Sequence, residues 1–277
     1  MLADVKGRRK DGANLFVVKS PRRIDPELRL NQIHEYFIGA FGTNKLRDRI
    51  PNFSFVLGFF QCSPPYIDEK AYLTGPGGPG AGGKKDRQSL TYCQNDSPEN
   101  EVNYLLYENV ANATTLHDFI MEGATFEDYL NILVQVTLAL DLAYQEFDFT
   151  HYDLHHENVL VRTLDQDIYI PYVVRADGTQ AYLKTRYVAT IIDFGRCHIK
   201  YEGQHYGYDL VQYGLFPDRS YPMYDLYKLL MFSLSTALFG DRDNQGYAGL
   251  TDAQLSERRM IHNEDIFNRG KELISYF

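Results

Sequence analysis

Two acidic turns, 40 residues apart and each next to an apolar strand, constrain this chain more than any other feature. The first is residues 151–158 (HYDLHHEN), which run into the apolar residues 159–161. The second is residues 191–195 (IIDFG). A carboxylate, an amide oxygen five residues later and a carboxylate after a second strand are the groups that phosphoryl transfer requires, because one must orient an attacking hydroxyl and two must hold Mg²⁺. The strand after Asn158 would anchor the loop rigidly.

Hydrophobic periodicity and turn residues outline the elements around these turns. A short apolar run predicts a strand that ends at Lys19, and Asp25-Pro26-Glu27 predicts the start of a helix. Thr125 and Asp128 form a capping-box pattern that opens a long helix to about residue 146. The apolar stripe of the first helix is Leu30, Ile33, Phe37 and Phe41, and Gly42 can end this helix. Further strands are predicted at 53–60, 102–107, 158–162, 169–174 and 187–192. A further helix is predicted at 223–238.

These elements predict an α+β fold with two lobes. Residues 1–110 form a small β-rich N-lobe with one main helix, and residues 111–277 form a larger, mostly helical C-lobe. The junction falls near residues 108–112. A hairpin insertion at about 165–187, with a turn at Ala176-Asp177-Gly178, interrupts the C-lobe.

The two acidic turns resemble the H-R-D-x-x-x-x-N catalytic loop and the D-F-G segment of eukaryotic-type protein kinases. Val17-Val18-Lys19 is similar to their V-A-I-K strand, and the resemblance runs from about residue 8 to 240. It implies a kinase fold, use of ATP with Mg²⁺ or Mn²⁺, and transfer of the γ-phosphoryl group to a protein hydroxyl, with serine and threonine as the expected acceptors.

The resemblance also implies roles for the residues of the two turns. Asp153 would be the catalytic base, and Asn158 and Asp193 would be the metal ligands. His155 stands where protein kinases carry a lysine two residues beyond the base, and it would donate to the γ-phosphate.

Upstream positions gain roles in the same way. Lys19 would contact the α- and β-phosphates, and Glu35, 16 residues later, would be its ion-pair partner. Residues 104–110 resemble the hinge, so the backbone of Glu108 and Val110 would hold adenine, and Asp225 resembles the buried acid that supports the catalytic loop. Taken singly, Lys19 and Glu35 fit a solvated surface and Asp225 fits a helix cap; the ordered set favours the functional interpretation.

Some positions depart from the usual kinase pattern. Tyr152 replaces the arginine that reads a phosphate on the activation loop, which argues against activation of that type. The histidine at position 155 resembles haspin-type kinases and small-molecule phosphotransferases of the aminoglycoside and choline kind. The elongated hairpin before Asp193 resembles kinase-like proteins of large DNA viruses.

Further departures concern the ends of the kinase pattern. No G-x-G-x-x-G precedes Lys19, since Gly7 and Gly12 have the wrong spacing, so the first kinase strand and its glycine-rich lid are expected upstream of Met1 or in degenerate form. No A-P-E follows Gly195. Two alternatives therefore stay open beside an active protein kinase: a pseudokinase or scaffold that binds a partner without turnover, and a kinase of small-molecule hydroxyls.

Two other site patterns are weaker. Residues 78–85 nearly match a phosphate-binding loop, but Lys85 replaces the hydroxyl that would contact Mg²⁺, so a flexible connection is expected. His151 and His155 have the i, i+4 spacing of zinc ligands on a helix, yet the segment lies between a helix and a strand.

Composition excludes some classes of partner. The net charge is −9, with +5 in residues 1–50 and −14 in residues 51–277, and so acidic a body disfavours non-specific nucleic-acid binding. Three separated cysteines predict a reducing compartment rather than a disulfide framework. No apolar run is long enough for a membrane span. We therefore expect an intracellular, cytoplasmic protein (host cytoplasm or virion if viral) that binds ATP and a protein substrate, without nucleic-acid or membrane binding.

Overall fold

The computed structural model describes residues 2–3, 16–19, 26–62, 102–173, 178–240 and 261–276. In these residues a four-stranded sheet carries one long helix, and this N-terminal lobe contacts a second body of helices with a long β-hairpin, the C-terminal lobe. The predicted α+β, two-lobed class is confirmed. Among the described helices, none combines the length and apolar character that a membrane crossing requires.

The N-terminal sheet is antiparallel throughout. Its strands are β1 (Leu2–Ala3), β2 (Phe16–Lys19), β3 (Val56–Cys62) and β4 (Val102–Glu108), in the order β1-β2-β4-β3. The strand predicted to end at Lys19 is therefore present. The register pairs Lys19 with Leu105 of β4, so the lysine lies at the end of a strand that has a neighbour on each side.

The strand predicted at 53–60 begins three residues later than expected. Phe53 instead makes an isolated parallel bridge to Ile191, a residue of the C-terminal lobe. Burial varies along this strand, because Val56 is buried whereas Leu57 is 54% exposed at the edge of the sheet. A short segment before β3 therefore joins the two lobes.

Helix α1 (Pro26–Phe41) packs against the sheet with an unexpected face. Leu30 of the predicted apolar stripe is 66% exposed and Ile33 is 47% exposed, whereas Glu35 and Ile38 are buried. The helix lies so close to β3 that a Cβ on Gly39 would meet Val56 at 2.1 Å. It ends at Phe41 as predicted, while the predicted cap, Asp25, lies outside the described residues.

In the described part of the C-terminal lobe, the α-helices are α2 (Leu116–Met121), α3 (Phe126–Phe147), α4 (Pro222–Phe239) and α5 (Glu264–Leu273). The predicted capping box opens α3: Asp128 N donates to Thr125 Oγ1 at 3.1 Å, and Thr125 N donates to Asp128 Oδ2 at 3.3 Å. The helix predicted over 223–238 is α4, and Pro222 occupies its first turn.

A long hairpin replaces the three short strands predicted after residue 158. After β5 (Ala113–Thr115), strands β6 (Val159–Val173) and β7 (Gln180–Ile191) pair over most of their length, with an irregularity between Thr163 and Ile168. Two strands are predicted in place of β6 because polar residues in its exposed middle interrupt the alternation of apolar and polar residues. The predicted turn lies largely outside the described residues. A small hairpin, β8 (Ile199–Tyr201) and β9 (Gln204–Tyr206), follows.

A buried amide network holds this hairpin against α3. Gln135 Oε1 accepts hydrogen bonds from Ala189 N at 3.0 Å and from Asn52 Nδ2 at 3.2 Å, and its Nε2 donates to Tyr187 O at 2.9 Å. Asn52 in turn accepts from the hydroxyl of Tyr172 at 2.7 Å. Because both amides are fully buried, their hydrogen bonds fix the position of β7 relative to α3.

We predict that Gln135→Leu lowers the free energy of unfolding by roughly 3 kcal/mol, since it leaves buried partners of the amide unpaired. Gln145→Leu is the matched control: the same substitution in the same helix, but at an exposed position, should change it by less than about 0.5 kcal/mol. Urea unfolding followed by circular dichroism measures both. Equal losses in the two variants would contradict the role of the network.

Candidate active site

The β6–β7 register brings the two acidic turns together. Val159 pairs with Ile191, and immediately beyond this pair Ile192 N donates to Asn158 O at 3.0 Å. The His151 ring spans the same gap, with Nε2 lying 3.0 Å from Ile192 O. Asp153, five residues before Asn158, and Asp193, directly after Ile192, are therefore brought to the same end of the hairpin.

Asp225 of helix α4 holds the backbone of the first acidic turn. The buried carboxylate of Asp225 accepts hydrogen bonds from His151 N at 2.6 Å and from Tyr152 N at 2.8 Å. Burial raises the pKa of Asp225 to about 7, against the effect of these hydrogen bonds. The contact expected of a loop-supporting acid is thus present.

Two of the five non-glycine residues with positive φ in the described part of the chain lie in the two acidic turns. Tyr152 has φ +60° and Asp193 has φ +67°, so each acidic turn contains a non-glycine residue in the left-handed region. Such conformations cost free energy and persist where surrounding contacts impose them. Here the contacts are the hydrogen bonds to Asp225 and the Ile192–Asn158 hydrogen bond.

Lys19 joins three elements through its ammonium group. Its Nζ lies 2.8 and 2.9 Å from the two carboxylate oxygens of Glu35 on α1, and 2.7 Å from Asp193 Oδ1. Burial opposes the charge on Lys19, but the two carboxylates outweigh it and raise its pKa. Burial likewise favours neutral Asp193, yet Lys19 holds the pKa of Asp193 below its usual value. The Lys19–Glu35 pair matches the spacing predicted from the sequence.

The buried end of this ion pair rests on aromatic side chains. The Tyr107 hydroxyl donates to Glu35 Oε1, and the ring of Tyr107 lies 6.4 Å from that of Phe194. Phe194 is fully buried and also contacts the rings of Phe53 and His151. The residue after Asp193 is therefore fixed in the core, which limits the freedom of the carboxylate.

Two cations flank the Asp153 carboxylate. Lys228 Nζ lies 2.5 Å from Oδ1, and a guanidinium nitrogen of Arg196 lies 3.6 Å from Oδ2. Burial alone would raise the pKa of Asp153, but Lys228 and then Arg196 more than offset it, so the pKa lies below the ordinary value. Asp153 is therefore a carboxylate at neutral pH.

His155 and Asn158 complete the first turn. Asn158 Nδ2 donates to Asp153 O at 2.9 Å and lies 3.2 Å from His155 Nε2, while Glu157 N donates to His155 Nδ1 at 3.3 Å. Burial lowers the pKa of His155 despite the nearby carboxylates. The Asn158 amide nitrogen thus binds the loop backbone, and its oxygen accepts no hydrogen bond from the described residues.

The predicted hinge positions lie at and just after the end of β4. Glu108 N donates to Phe55 O at 2.9 Å, and the Glu108 side chain binds Phe55 N and Arg47, each at 2.9 Å. Val110, the second predicted hinge position, is half-buried.

The histidines of the first turn do not converge on a metal. Both ring nitrogens of His151 are engaged, one with Ile192 O and the other as acceptor from Asp153 N at 3.3 Å. Across the described ranges, no group of three or more His, Cys, Asp or Glu side chains has the geometry to hold a metal ion. The zinc alternative therefore lacks a ligand set there.

Sequence reasoning missed Lys228, Arg196 and Tyr107. Lys228 lies three residues after Asp225, so it occupies the same face of α4, and that spacing is a signal that could have identified it. Arg196 follows Gly195 directly but reaches back to Asp153. Tyr107 is one residue before Glu108, and no sequence pattern indicates that its hydroxyl meets Glu35.

The strand lysine thus pairs with the helix glutamate and also contacts Asp193 of the second acidic turn, and the fold is a two-lobed, kinase-like α+β fold. No protein-family model matches the chain. Uncharacterized protein 035R of Invertebrate iridescent virus 3 is 29% identical over 202 residues, which cover 71% of this chain and 17% of that protein. Probable kinase 098L of the same virus is 30% identical over 140 residues, which cover 50% of this chain and 26% of that protein.

The chain thus spans about a quarter or less of the length of these curated relatives. Among solved structures, the kinase domain of PF14_0431 is similar with a TM-score of 0.37 and 18% identity, over 68% of this chain and 45% of that chain.

The buried side chain of His156 should make the stability of the protein depend on pH. The ring of His156 packs against those of His117 and Phe232, and its Nδ1 has no hydrogen-bond partner among the described residues. Burial lowers the pKa of His156 to about 4, whereas an unfolded histidine titrates near 6.5. Between these values the unfolded chain binds more protons, so stability should rise with pH across this range.

We therefore predict that His156→Phe, which keeps a ring of similar size, is more stable relative to wild type at pH 5 than at pH 7.5. The difference in the free energy of unfolding between variant and wild type should change by about 2 kcal/mol between the two pH values. Only wild type must keep a buried imidazole neutral at pH 5. Chemical unfolding of both proteins at the two pH values measures it. A difference that does not vary with pH would contradict the assignment.

Proposed function

We propose that this chain is a protein-kinase-like phosphotransferase that moves the γ-phosphoryl group of ATP to a protein hydroxyl, with serine or threonine as acceptor. The observation that carries the proposal is the position of Lys19 Nζ within 2.9 Å of both Glu35 and Asp193. A lysine at that place can contact phosphates only if its own position is fixed, and the buried glutamate fixes it.

The donor set suits a magnesium or manganese ion that a nucleotide completes. Asn158 and Asp193 offer one amide and one carboxylate oxygen, and Asp193 is 46% exposed. Mg²⁺ typically takes one or two carboxylates and fills its remaining positions with phosphate oxygens and water. Asn158 and Asp193 would hold this ion, which neutralises phosphate charge when bound.

Asp153 is proposed as the residue that orients the acceptor hydroxyl and takes its proton. Its lowered pKa, set by Lys228 and Arg196 against the effect of burial, keeps it ionised at neutral pH. His155 lies beside Asn158 in the same turn and so borders the transferred group. Glu108 O and the Val110 backbone are proposed to bind adenine at the end of β4.

The choice of a protein acceptor rests on the kinase-like arrangement and on the sequence similarity to Probable kinase 098L. A scaffold without turnover would have no need for the base Asp153, the amide Asn158 and the carboxylate Asp193 at these spacings. The alternatives are outcomes of the tests below.

We predict that millimolar ATP with Mg²⁺ raises the melting temperature and that Asp193→Asn abolishes the magnesium-dependent part of the shift. Ligand at 100 times its dissociation constant stabilises by about 2.7 kcal/mol. Asp167→Asn, an acid-to-amide change on the exposed hairpin, is the matched control and should keep the full shift. The absence of any shift in wild type would contradict nucleotide binding.

We predict that the wild-type chain transfers labelled phosphate from ATP to a serine- or threonine-containing protein and that Asp153→Asn lowers the rate by about 10²–10⁴-fold. Asp153→Asn should retain the ATP-dependent thermal shift. Transfer to an amino sugar or choline, but not to protein, would favour a small-molecule kinase. Nucleotide binding without transfer to either class would favour the scaffold.

A further inference from the structure

We infer that Lys228, on helix α4, supplies the fixed positive charge at the point of phosphoryl transfer. In the kinase pattern a lysine two residues after the base occupies this region, and here that position is His155. The inference rests on the proposed function, and it assigns a further catalytic residue to the same site.

The position of the ammonium is the first observation. Lys228 Nζ lies 2.5 Å from Asp153 Oδ1 and 3.5 Å from Tyr152 O. Its side chain is 19% exposed, so the group is neither free in solvent nor sealed in the core. A hydroxyl that binds Asp153 must therefore approach within a few ångströms of this cation.

The way in which Lys228 is held is the second observation. Asp225, Lys228 and Phe232 follow at spacings of three and four residues and form one face of α4. Asp225 binds the backbone of the loop, and the Phe232 ring lies 5.7 Å from the ring of His155 and 5.9 Å from Lys228 Nζ. The same face of α4 thus positions both the loop that contains Asp153 and the ammonium group of Lys228.

Neighbouring groups are less suited to this role. His155 has both ring nitrogens directed at its own loop, one towards Glu157 N and one towards the Asn158 amide. Arg196 is 52% exposed and lies 3.6 Å from Asp153 Oδ2, so its guanidinium is less constrained than the ammonium of Lys228.

The chemistry gives this cation a defined task. The acceptor oxygen forms a bond to the γ-phosphorus as the bond to the bridging oxygen breaks; that electron pair leaves with ADP, and the hydroxyl proton passes to Asp153. Negative charge spreads over the oxygens of the transferred group in the transition state. A cation fixed beside Asp153 stabilises that charge without having to reorganise.

The test compares kinetic constants of the full chain for wild type, Lys228→Met and Lys228→Arg. Lys228→Met should lower kcat by about 100-fold or more, as loss of one fixed donor to a transition-state charge does elsewhere. The KM for ATP and the ATP-dependent thermal shift should change little, because the proposed nucleotide contacts are elsewhere. Lys228→Arg should recover part of the rate. Lys184→Met, on the exposed hairpin, is the control and should match wild type.

A relocation variant separates charge from a structural role. The double variant His155→Lys/Lys228→Met places a lysine in the loop. Its kcat should be at least about tenfold higher than that of Lys228→Met alone. The inference is overturned if Lys228→Met keeps kcat within threefold of wild type, if the loss falls on KM for ATP, or if neither Lys228→Arg nor the relocated lysine recovers activity. Absence of transfer by wild type itself would instead overturn the proposed function, and this inference with it.

Discussion

The contact of Lys19 with Glu35 and Asp193 determines how the elements of the site are arranged. It links strand β2, helix α1 and the turn after β7, which are separated by up to 174 residues in sequence. Since Glu35 must face the lysine, α1 buries an acidic residue and exposes Leu30 and Ile33. The helix is therefore rotated so that Glu35 and Ile38 lie on its buried side, and the Tyr107 hydroxyl completes the polar environment of Glu35.

Features encoded in short segments could be predicted from the sequence, and features created by distant contacts could not. The strand end at Lys19, the capping box at Thr125 and the span of α4 follow from local rules. The buried face of α1 and the meeting of Lys228 with Asp153 depend on packing between lobes and helices. The roles proposed for the site residues remain predictions.

The immediate surroundings of Asp153 differ in charge from the rest of the chain. Residues 51–277 carry a net charge of −14, yet Asp153 has a lysine and an arginine within 3.6 Å. Placing cations next to one carboxylate in an acidic body keeps that carboxylate ionised, and the low-dielectric surroundings strengthen the interaction. The buried Asp225 contributes differently, because it binds backbone N–H groups and fixes the shape of the loop.

The fully buried Tyr152 helps to hold the segment before α4 against the first acidic turn. Its hydroxyl donates to Arg219 O at 2.8 Å, and Tyr221 N donates to Thr150 Oγ1 at 2.7 Å, so neutral groups fasten the segment before α4 to the loop. Hydrogen bonds of this kind form as the chain folds and are little affected by ionic strength. The position of this segment against the loop should therefore be nearly the same at low and at high salt concentration.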